Sequence, residues 1–177
     1  ITPAEGWRIR DIIIDEPENA ENSENIMSVQ PVLAEDGTET GAYLVSDVNV
    51  TKNMEFKVDA VKLYSVTIAD TEHGSIKVTK PDGTEVENGE MIDEKTVLTY
   101  TATPDMYYDF DAWTEDAADQ AESTFEKALD ESITVGAAFK ARYAKVSIAT
   151  VKNGTVTVTT ADGKKISNGQ LVQEGTD

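Results

Sequence analysis

Acidic side chains and a single histidine are the residues of this 177-residue chain whose types could do chemistry. Two carboxylates that face a cleft at about 5 to 10 Å separation can cleave a glycosidic bond. Closely spaced acids occur as Asp109 with Asp111 and as Glu115 with Asp116. The chain holds 34 acidic residues, so adjacency is frequent by composition alone. Asp109 and Asp111 alternate with Phe110, which is typical of the solvent side of a strand. We therefore expect no catalytic residues and no enzyme activity.

The histidine, His73, precedes Gly74 between two segments of alternating apolar residues. The same turn recurs 80 residues later as Asn153 and Gly154. Histidine and asparagine tolerate positive φ better than most other residues with a side chain. The pattern therefore favours a backbone requirement in a turn over catalysis or metal binding.

Oxygen ligands that could hold calcium are concentrated at Glu35, Asp36, Asp47 and Asn49. Their spacing does not follow the order of acids and glycine in an EF-hand loop. The chain has no cysteine, which excludes disulfides, thiolate metal sites and cysteine nucleophiles. We expect neither a metal site nor a cofactor.

Aromatic side chains are the remaining candidates for ligand contact, because their faces can stack on sugars. Trp7, Trp113, Tyr107 and Tyr108 could form such a platform. Tyr108, Phe110 and Trp113 share one side of a predicted strand, which favours core packing. Tyr107 falls on the opposite side and should point outward. Tyr107 is therefore the candidate ligand-binding residue.

The charge of the chain limits its partners. It carries 15 Lys and Arg against 34 Asp and Glu, a formal net charge of −19. This charge repels phosphate backbones and anionic lipids, so we expect no nucleic-acid partner. No apolar run reaches the roughly 18 residues of a membrane helix, so we expect no membrane insertion. The chain begins without a signal segment and looks like a piece of a longer protein.

An internal repeat must position these residues. The segment VTIADTEHGSIKVTKPDG at 66–83 recurs without a gap as VSIATVKNGTVTVTTADG at 146–163. The agreement continues at Asn88 and Gly89, which correspond to Asn168 and Gly169. A period of about 80 residues is long enough for each unit to be a small domain.

The repeat divides the chain into one complete unit and two partial ones. Residues 64–142 form the complete middle repeat, residues 1–63 the C-terminal half of a first repeat, and residues 143–177 the N-terminal half of a third. The first half carries an insertion near residues 16–47 that should be an exposed loop or flap. Isolated hairpins are marginal in water, so we expect strand complementation of the half-repeats between chains, or folding back onto the middle repeat.

Alternating apolar residues predict strands through most of the middle repeat. The closing strand alternates at Ile133, Val135, Ala137 and Phe139, and the first repeat shows the same pattern at Met54, Phe56, Val58 and Ala60. Residues 117–129 could form a short helix or a strand, and we favour strand from Thr124 onward. The predicted fold class is mainly β, as tandem small β-sheet repeat domains with at most one short helix per repeat.

The order of motifs in the middle repeat resembles a known family. The motifs are the opening strand at 64–68, the hairpin at 74–78, Asn88 with Gly89, the segment 99–104, the aromatic strand at 108–113 and the closing strand at 133–139. This order is similar to that of the divergent internalin B-repeat domains of bacterial surface proteins. The resemblance implies small β-rich, β-grasp-like repeats in a secreted or wall-attached protein, and it carries no catalytic residues.

These observations predict a non-enzymatic repeat module that acts as a stalk, spacer or adhesion module. The location implied is extracellular, at the cell surface or cell wall. The alternative is a carbohydrate- or host-protein-binding module appended to a larger extracellular enzyme. An exposed Tyr107, or an aromatic patch around residues 16–47, would favour that alternative, with a glycan or a host protein as the partner.

Overall fold

The structure is a computed structural model that describes residues 1–15, 26–49 and 55–177. These residues form strands and turns, with no helix among them, so the mainly β fold class is confirmed. The described part of the chain accordingly has no helix long and apolar enough to cross a membrane. Residues 116–121 form turns and residues 124–128 form a strand, which confirms strand from Thr124 onward.

Fourteen strands follow one another within the described residues. Residues 1–68 contain β1 (Trp7–Asp15), β2 (Ile26–Leu33), β3 (Glu39–Asn49) and β4 (Glu55–Ile68). The middle repeat continues with β5 (Gly74–Thr79), β6 (Glu90–Asp93), β7 (Val97–Pro104), β8 (Tyr108–Glu115), β9 (Thr124–Ala128) and β10 (Ile133–Ala141). The third half-repeat contains β11 (Tyr143–Lys145), β12 (Val158–Thr159), β13 (Lys165–Ile166) and β14 (Leu171–Gln173).

Contacts divide the chain into two compact units. The first unit comprises Ile1–Ser65, Met91–Thr96 and Leu129–Ser132. The second unit comprises Val66–Glu90, Val97–Ala128 and Ile133–Asp177. Two short segments of the middle repeat thus pack with the first half-repeat, and the third half-repeat packs with the rest of the middle repeat.

The first unit is organised around β4. Strand β1 pairs antiparallel with it, with Trp7 opposite Lys62, and β6 also pairs with it. Ile9 and Val61 are buried at 5% and 1% exposure. Apolar residues that alternate on these strands therefore supply the small core of this unit.

Strand β4 provides the predicted closing strand of the first repeat, but its burial differs from that of the middle repeat. Phe56 and Val58 are each 43% exposed. The residue that corresponds to Phe56 in the middle repeat is Val135, which is fully buried and pairs in parallel with Ile68. The same alternation of apolar residues thus gives a buried strand in one repeat and an exposed one in the other.

The insertion in the first repeat is not a loop over its described part. Residues 16–25 lie outside the described residues, and from Ile26 onward β2 and β3 form an antiparallel hairpin. Asp36 Oδ1 accepts the Thr38 backbone N–H at 3.0 Å and stabilises the turn between them. An exposed hairpin fits the predicted flap, whereas its two strands were not predicted, because polar residues near both turns were weighed over the alternating apolar residues within each arm.

The second unit packs two sheets around an aromatic core. In one sheet β10 pairs antiparallel with β8 and in parallel with residues 66–68 of β4. In the other sheet β7 lies between β5 and β9. The side chains below 2% exposure include Tyr100, Leu98, Val66, Val78 and Val135, and Trp113 stands at 2%. The predicted core position of Trp113 is confirmed.

The third half-repeat has much shorter strands than the middle repeat. Strand β5 spans six residues and pairs with β7, whereas the corresponding residues 154–159 contain only β12, which pairs with β13. The counterpart of β7 would begin at position 177. The strand that would pair with residues 154–159 is therefore absent from this chain.

Candidate functional site around Tyr107

Tyr107 occupies a tight turn immediately before β8. The backbone N–H of Tyr108 donates to the Asp105 carbonyl at 3.1 Å, and Tyr107 has a φ of 70°. This left-handed conformation is uncommon for a residue with a large side chain. The side chain is 38% exposed. Tyr107 therefore lies at the surface, and its ligand-binding role stays a prediction.

The Tyr107 ring contacts the third half-repeat. A Cβ atom placed on Gly175 would lie 2.5 Å from the ring carbon Cδ2 and 2.6 Å from Cε2. Real Cβ contacts are far longer than this, so the ring occupies the space that a side chain at position 175 would need. Gly175 itself has a φ of 80°. Its glycine thus serves both the backbone conformation and the close approach of the ring.

Backbone hydrogen bonds at Arg142 hold the same region together. The Arg142 N–H donates to the Tyr107 carbonyl at 2.8 Å, and the Glu174 N–H donates to the Arg142 carbonyl at 2.9 Å. Arg142 Nη2 also lies 2.8 Å from Glu174 Oε2. The end of the middle repeat is therefore tied to the end of β14.

Tyr108 links two other parts of the second unit. Its ring stacks on His73, with centroids 4.1 Å apart. Its hydroxyl accepts a hydrogen bond from Gln173 Nε2 at 3.2 Å. Tyr108 is only half-buried, so it acts as a bridge toward the third half-repeat more than as a core residue.

The turn interpretation of the histidine is confirmed. His73 has a φ of 67° and the corresponding Asn153 has a φ of 60°. The His73 carbonyl accepts the Asp105 N–H at 2.9 Å, which joins this turn to the one carrying Tyr107.

The paired acids occupy surface positions. Asp109 and Asp111 are exposed on β8, as their alternation predicted. Asp111 pairs with Lys140 at 3.2 Å on the neighbouring strand. Asp116 Oδ2 accepts the Thr134 N–H at 2.8 Å, so this carboxylate caps a strand. These contacts give Asp111 and Asp116 structural roles.

The potential calcium ligands are only partly visible. Asp36 is engaged in its own turn, where hydrogen bonds from the Thr38 hydroxyl and N–H lower its pKa. The side chains of Asp47 and Asn49 lie outside the described residues. Within the described part of the chain, no three metal-ligating side chains come together.

Tyr100 is a residue that the sequence did not single out. Its side chain is fully buried, and its hydroxyl has no hydrogen-bond partner among the described residues. Burial raises the pKa of this phenol to about 12. The ring stacks on Phe125 with centroids 4.7 Å apart, so packing holds the residue despite its unsatisfied hydroxyl.

A concave surface of about 480 Å³ opens on the third half-repeat. Its lining includes Tyr143, Ile166 and Leu171. Tyr143 and Leu171 are 58% and 61% exposed. This concavity thus exposes apolar side chains of the third half-repeat to solvent.

The fold and the surface around Tyr107 define a β-repeat module whose consecutive repeats contact each other. Residues 64–142 match the family model of the divergent InlB B-repeat domain. This match confirms the predicted resemblance of the middle repeat to that family, which is typical of bacterial surface proteins. A search of curated proteins and a search of solved structures gave no match.

Proposed function

We propose that this chain is a stalk or spacer segment of a bacterial cell-surface or secreted protein, located outside the cell. It performs no chemistry of its own. Its repeats set the distance between other parts of the protein. The family of the middle repeat and the serial arrangement of the repeats support this function.

The observation that carries the proposal is the direct connection between repeats. Strand β10 ends at Ala141 and β11 begins at Tyr143, so Arg142 is the single residue between them. Its carbonyl accepts the Glu174 N–H across the junction, and its own N–H is bonded to the Tyr107 carbonyl within the middle repeat. A connection of this kind restricts motion between neighbouring repeats, whereas a flexible linker would not. Restricted motion is what a spacer needs.

A binding screen tests the proposal. The chain is presented to a glycan array and to a panel of extracellular host proteins, together with the variant Tyr107→Ala. The spacer function predicts no saturable binding by either protein. Saturable binding that is lost in Tyr107→Ala would instead make Tyr107 a ligand-binding residue and support the alternative module.

The hairpin β2–β3 favours a second candidate, a host-protein-binding module. Four of its aliphatic side chains are exposed, namely Val29, Val32, Leu33 and Leu44. Exposed apolar groups on one hairpin are a common feature of protein contact surfaces. Binding in the same screen that is abolished by Leu33→Glu with Leu44→Glu, but kept in Tyr107→Ala, would identify this hairpin as the contact surface.

Complementation of the half-repeats between chains stays a prediction. Residues 143–177 correspond to the front strands of a repeat, and residues 1–63 supply counterparts of β8 and β10. Neither half supplies a counterpart of β7, whose Leu98 and Tyr100 are fully buried in the middle repeat. Sedimentation over a range of concentrations tests it: a monomer throughout would rule out pairing between chains.

A further inference from the structure

We propose that the Tyr107 ring and the space left by Gly175, which has no side chain, form a size-matched contact between consecutive repeats, called the lock below. This contact determines which repeat can follow which. The inference rests on the proposed function, since it concerns repeats joined in series. The partner recognised is the front half of the next repeat. The requirement is a glycine where Gly175 stands.

A similar pair of backbone hydrogen bonds occurs at both junctions, with one residue more between donor and acceptor in the first. In the first unit, the Leu63 N–H donates to the Gly6 carbonyl at 2.7 Å and the Glu94 N–H donates to the Lys62 carbonyl at 2.8 Å. In the second unit, the Arg142 N–H donates to the Tyr107 carbonyl at 2.8 Å, and the Glu174 N–H donates to the Arg142 carbonyl at 2.9 Å.

The turns that flank these hydrogen bonds also correspond. The Trp7 N–H donates to the Ala4 carbonyl at 3.0 Å, as the Tyr108 N–H donates to that of Asp105 at 3.1 Å. The Thr96 N–H donates to the Asp93 carbonyl at 3.2 Å. The Thr176 N–H makes the equivalent bond to Gln173, also at 3.2 Å. Position 6 therefore corresponds to position 107, and position 95 to position 175.

The large residue and the glycine change places between the two junctions. One junction has Gly6 and Lys95, and the other has Tyr107 and Gly175. All four residues have positive φ, at 74°, 64°, 70° and 80° in that order. The backbone conformation is thus constant while the large residue changes sides. Each junction has one large and one absent side chain.

Contacts explain why two large residues would conflict. The Tyr107 ring fills the space beside Gly175, where a Cβ would come within 2.5 Å of it. At the other junction, no atom lies within 4 Å of a Cβ placed on Gly6, and Lys95 pairs through its Nζ with Asp130.

The lock predicts a pairing rule for repeats of this chain. A repeat that ends with the turn of Tyr107 accepts a following repeat with glycine at the position of Gly175. A repeat whose turn carries glycine, as at Gly6, accepts lysine at the position of Lys95. A tyrosine followed by a lysine is excluded by overlap.

The test compares two glycines of the third half-repeat in the full chain. Gly175→Ala introduces a Cβ against the Tyr107 ring, and Gly163→Ala is the matched control. Gly163 has the same kind of backbone, with a φ of 85°, but nothing lies within 4 Å of an added Cβ. Hydrogen exchange is measured at two backbone N–H groups: that of Arg142, which is bonded to the turn of Tyr107, and that of Glu174, which is bonded across the junction to the Arg142 carbonyl.

The lock predicts that Gly175→Ala speeds exchange at these two groups roughly tenfold more than Gly163→Ala, a difference of about 1.4 kcal/mol. In the Tyr107→Gly background, the two alanine variants should have equal effects. The double variant Tyr107→Gly with Gly175→Lys recreates the pair of the first junction and should exchange within about threefold of Tyr107→Gly alone.

Either of two results would overturn the lock. One is equal exchange in Gly175→Ala and Gly163→Ala with tyrosine in place, and the other is an effect of Gly175→Ala that persists without the tyrosine. If Gly175→Ala unfolds the third half-repeat, recovery in the Tyr107→Gly background supports the lock and continued unfolding overturns it. The binding screen decides the spacer function separately, because saturable ligand binding would leave this coupling unchanged.

Discussion

Asn88 accepts a hydrogen bond from the backbone N–H of Ile68 through its Oδ1 atom, at 2.8 Å. The corresponding Asn168 makes the same bond to Ile148, also at 2.8 Å. The asparagine side chain thereby joins the turn before the sixth strand to the opening strand of its repeat. The internal repetition of sequence thus corresponds to a repetition of individual atomic contacts.

This bond should stabilise mainly the repeat that contains it. Asn88→Ala removes the acceptor for the Ile68 N–H, and we expect the free energy of unfolding of the middle repeat to fall by about 1 kcal/mol. Urea unfolding measures the loss. Asn168→Ala is the matched change, and it should alter exchange of the Ile148 N–H without lowering the stability of the middle repeat. A loss of equal size at both sites in urea would contradict separate repeats.

Trp113 should dominate the core of the second unit. Trp113→Ala is expected to lower the free energy of unfolding by about 3 to 5 kcal/mol, because a large buried ring is lost. Trp113→Phe keeps part of the ring and loses the indole N–H, which donates to the Glu122 carbonyl at 2.7 Å. This control should cost distinctly less. A near-neutral thermal shift for Trp113→Ala would contradict the core assignment.

The buried hydroxyl of Tyr100 should lower the free energy of unfolding of the wild-type protein. Tyr100→Phe removes a buried polar group that has no partner among the described residues. We expect the free energy of unfolding at pH 7 to rise by roughly 1 kcal/mol. Thermal and urea unfolding check this. A loss of stability would show that the hydroxyl has a hydrogen-bond partner.

Tyr100 should also give the chain a sensitivity to alkali. Because the pKa rises from 10.0 to about 12 on folding, the unfolded state loses this proton at lower pH than the folded state. The contribution of Tyr100 to the free energy of unfolding is therefore fully present below pH 10. Above pH 10 it falls by up to about 1.4 kcal/mol per pH unit. The difference in stability between Tyr100→Phe and wild type should widen from pH 10 to pH 12. A constant difference would contradict the shift.

The ion pair of Glu90 should make the free energy of unfolding sensitive to acid. The Lys80 ammonium, 2.6 Å away, lowers the pKa of Glu90, whose Oε2 also accepts the Glu87 N–H at 3.0 Å. The third half-repeat has Gln170 here, with the same backbone contact at 2.9 Å to Ser167.

Glu90→Gln should therefore keep the backbone bond and lose the ion pair, at a cost of about 0.5 kcal/mol at pH 7. A carboxylate with a lowered pKa stabilises the fold above its unfolded pKa of about 4.5, and the contribution is lost as the pH falls through the folded value. The stability difference between wild type and Glu90→Gln should shrink as the pH is lowered from 5 to 2. Glu126→Gln, on exposed β9, is the control. A difference that is independent of pH would contradict the pairing.

Local sequence predicted the features that depend on one residue type. The turn at His73 followed from tolerance of positive φ. The core position of Trp113 was predicted correctly, although strict alternation from Phe110 would point it to the other side; a register shift opposite Ala138 and Phe139 lies between the two residues. The exposure of Phe56 could not be predicted from alternation, because burial depends on which strands pack over that side chain. The hairpin β2–β3 was missed because turn residues outweighed short alternating runs.

The contact between Tyr107 and Gly175 could not be predicted from alternation along a strand either. Alternation predicted an outward direction for Tyr107, but this residue lies in a turn before β8. A pattern within one strand could not show what the ring would meet 68 positions later in the chain. A comparison of Gly6 with Tyr107 and of Lys95 with Gly175 could have suggested the exchange of sizes. The repeat alignment contained that signal.

The distance between two fixed labels, measured as copies of the middle repeat are added, tests the spacer function most directly. The chain has no cysteine, so Glu5→Cys and Lys152→Cys introduce unique labelling sites. One or two copies of residues 64–142, each with Lys95→Gly to suit Tyr107, are inserted after Arg142. The account predicts that each copy adds the same distance, with a narrow distribution. A distance that grows only as the square root of the number of copies, or not at all, would show flexible or collapsed repeats and contradict it.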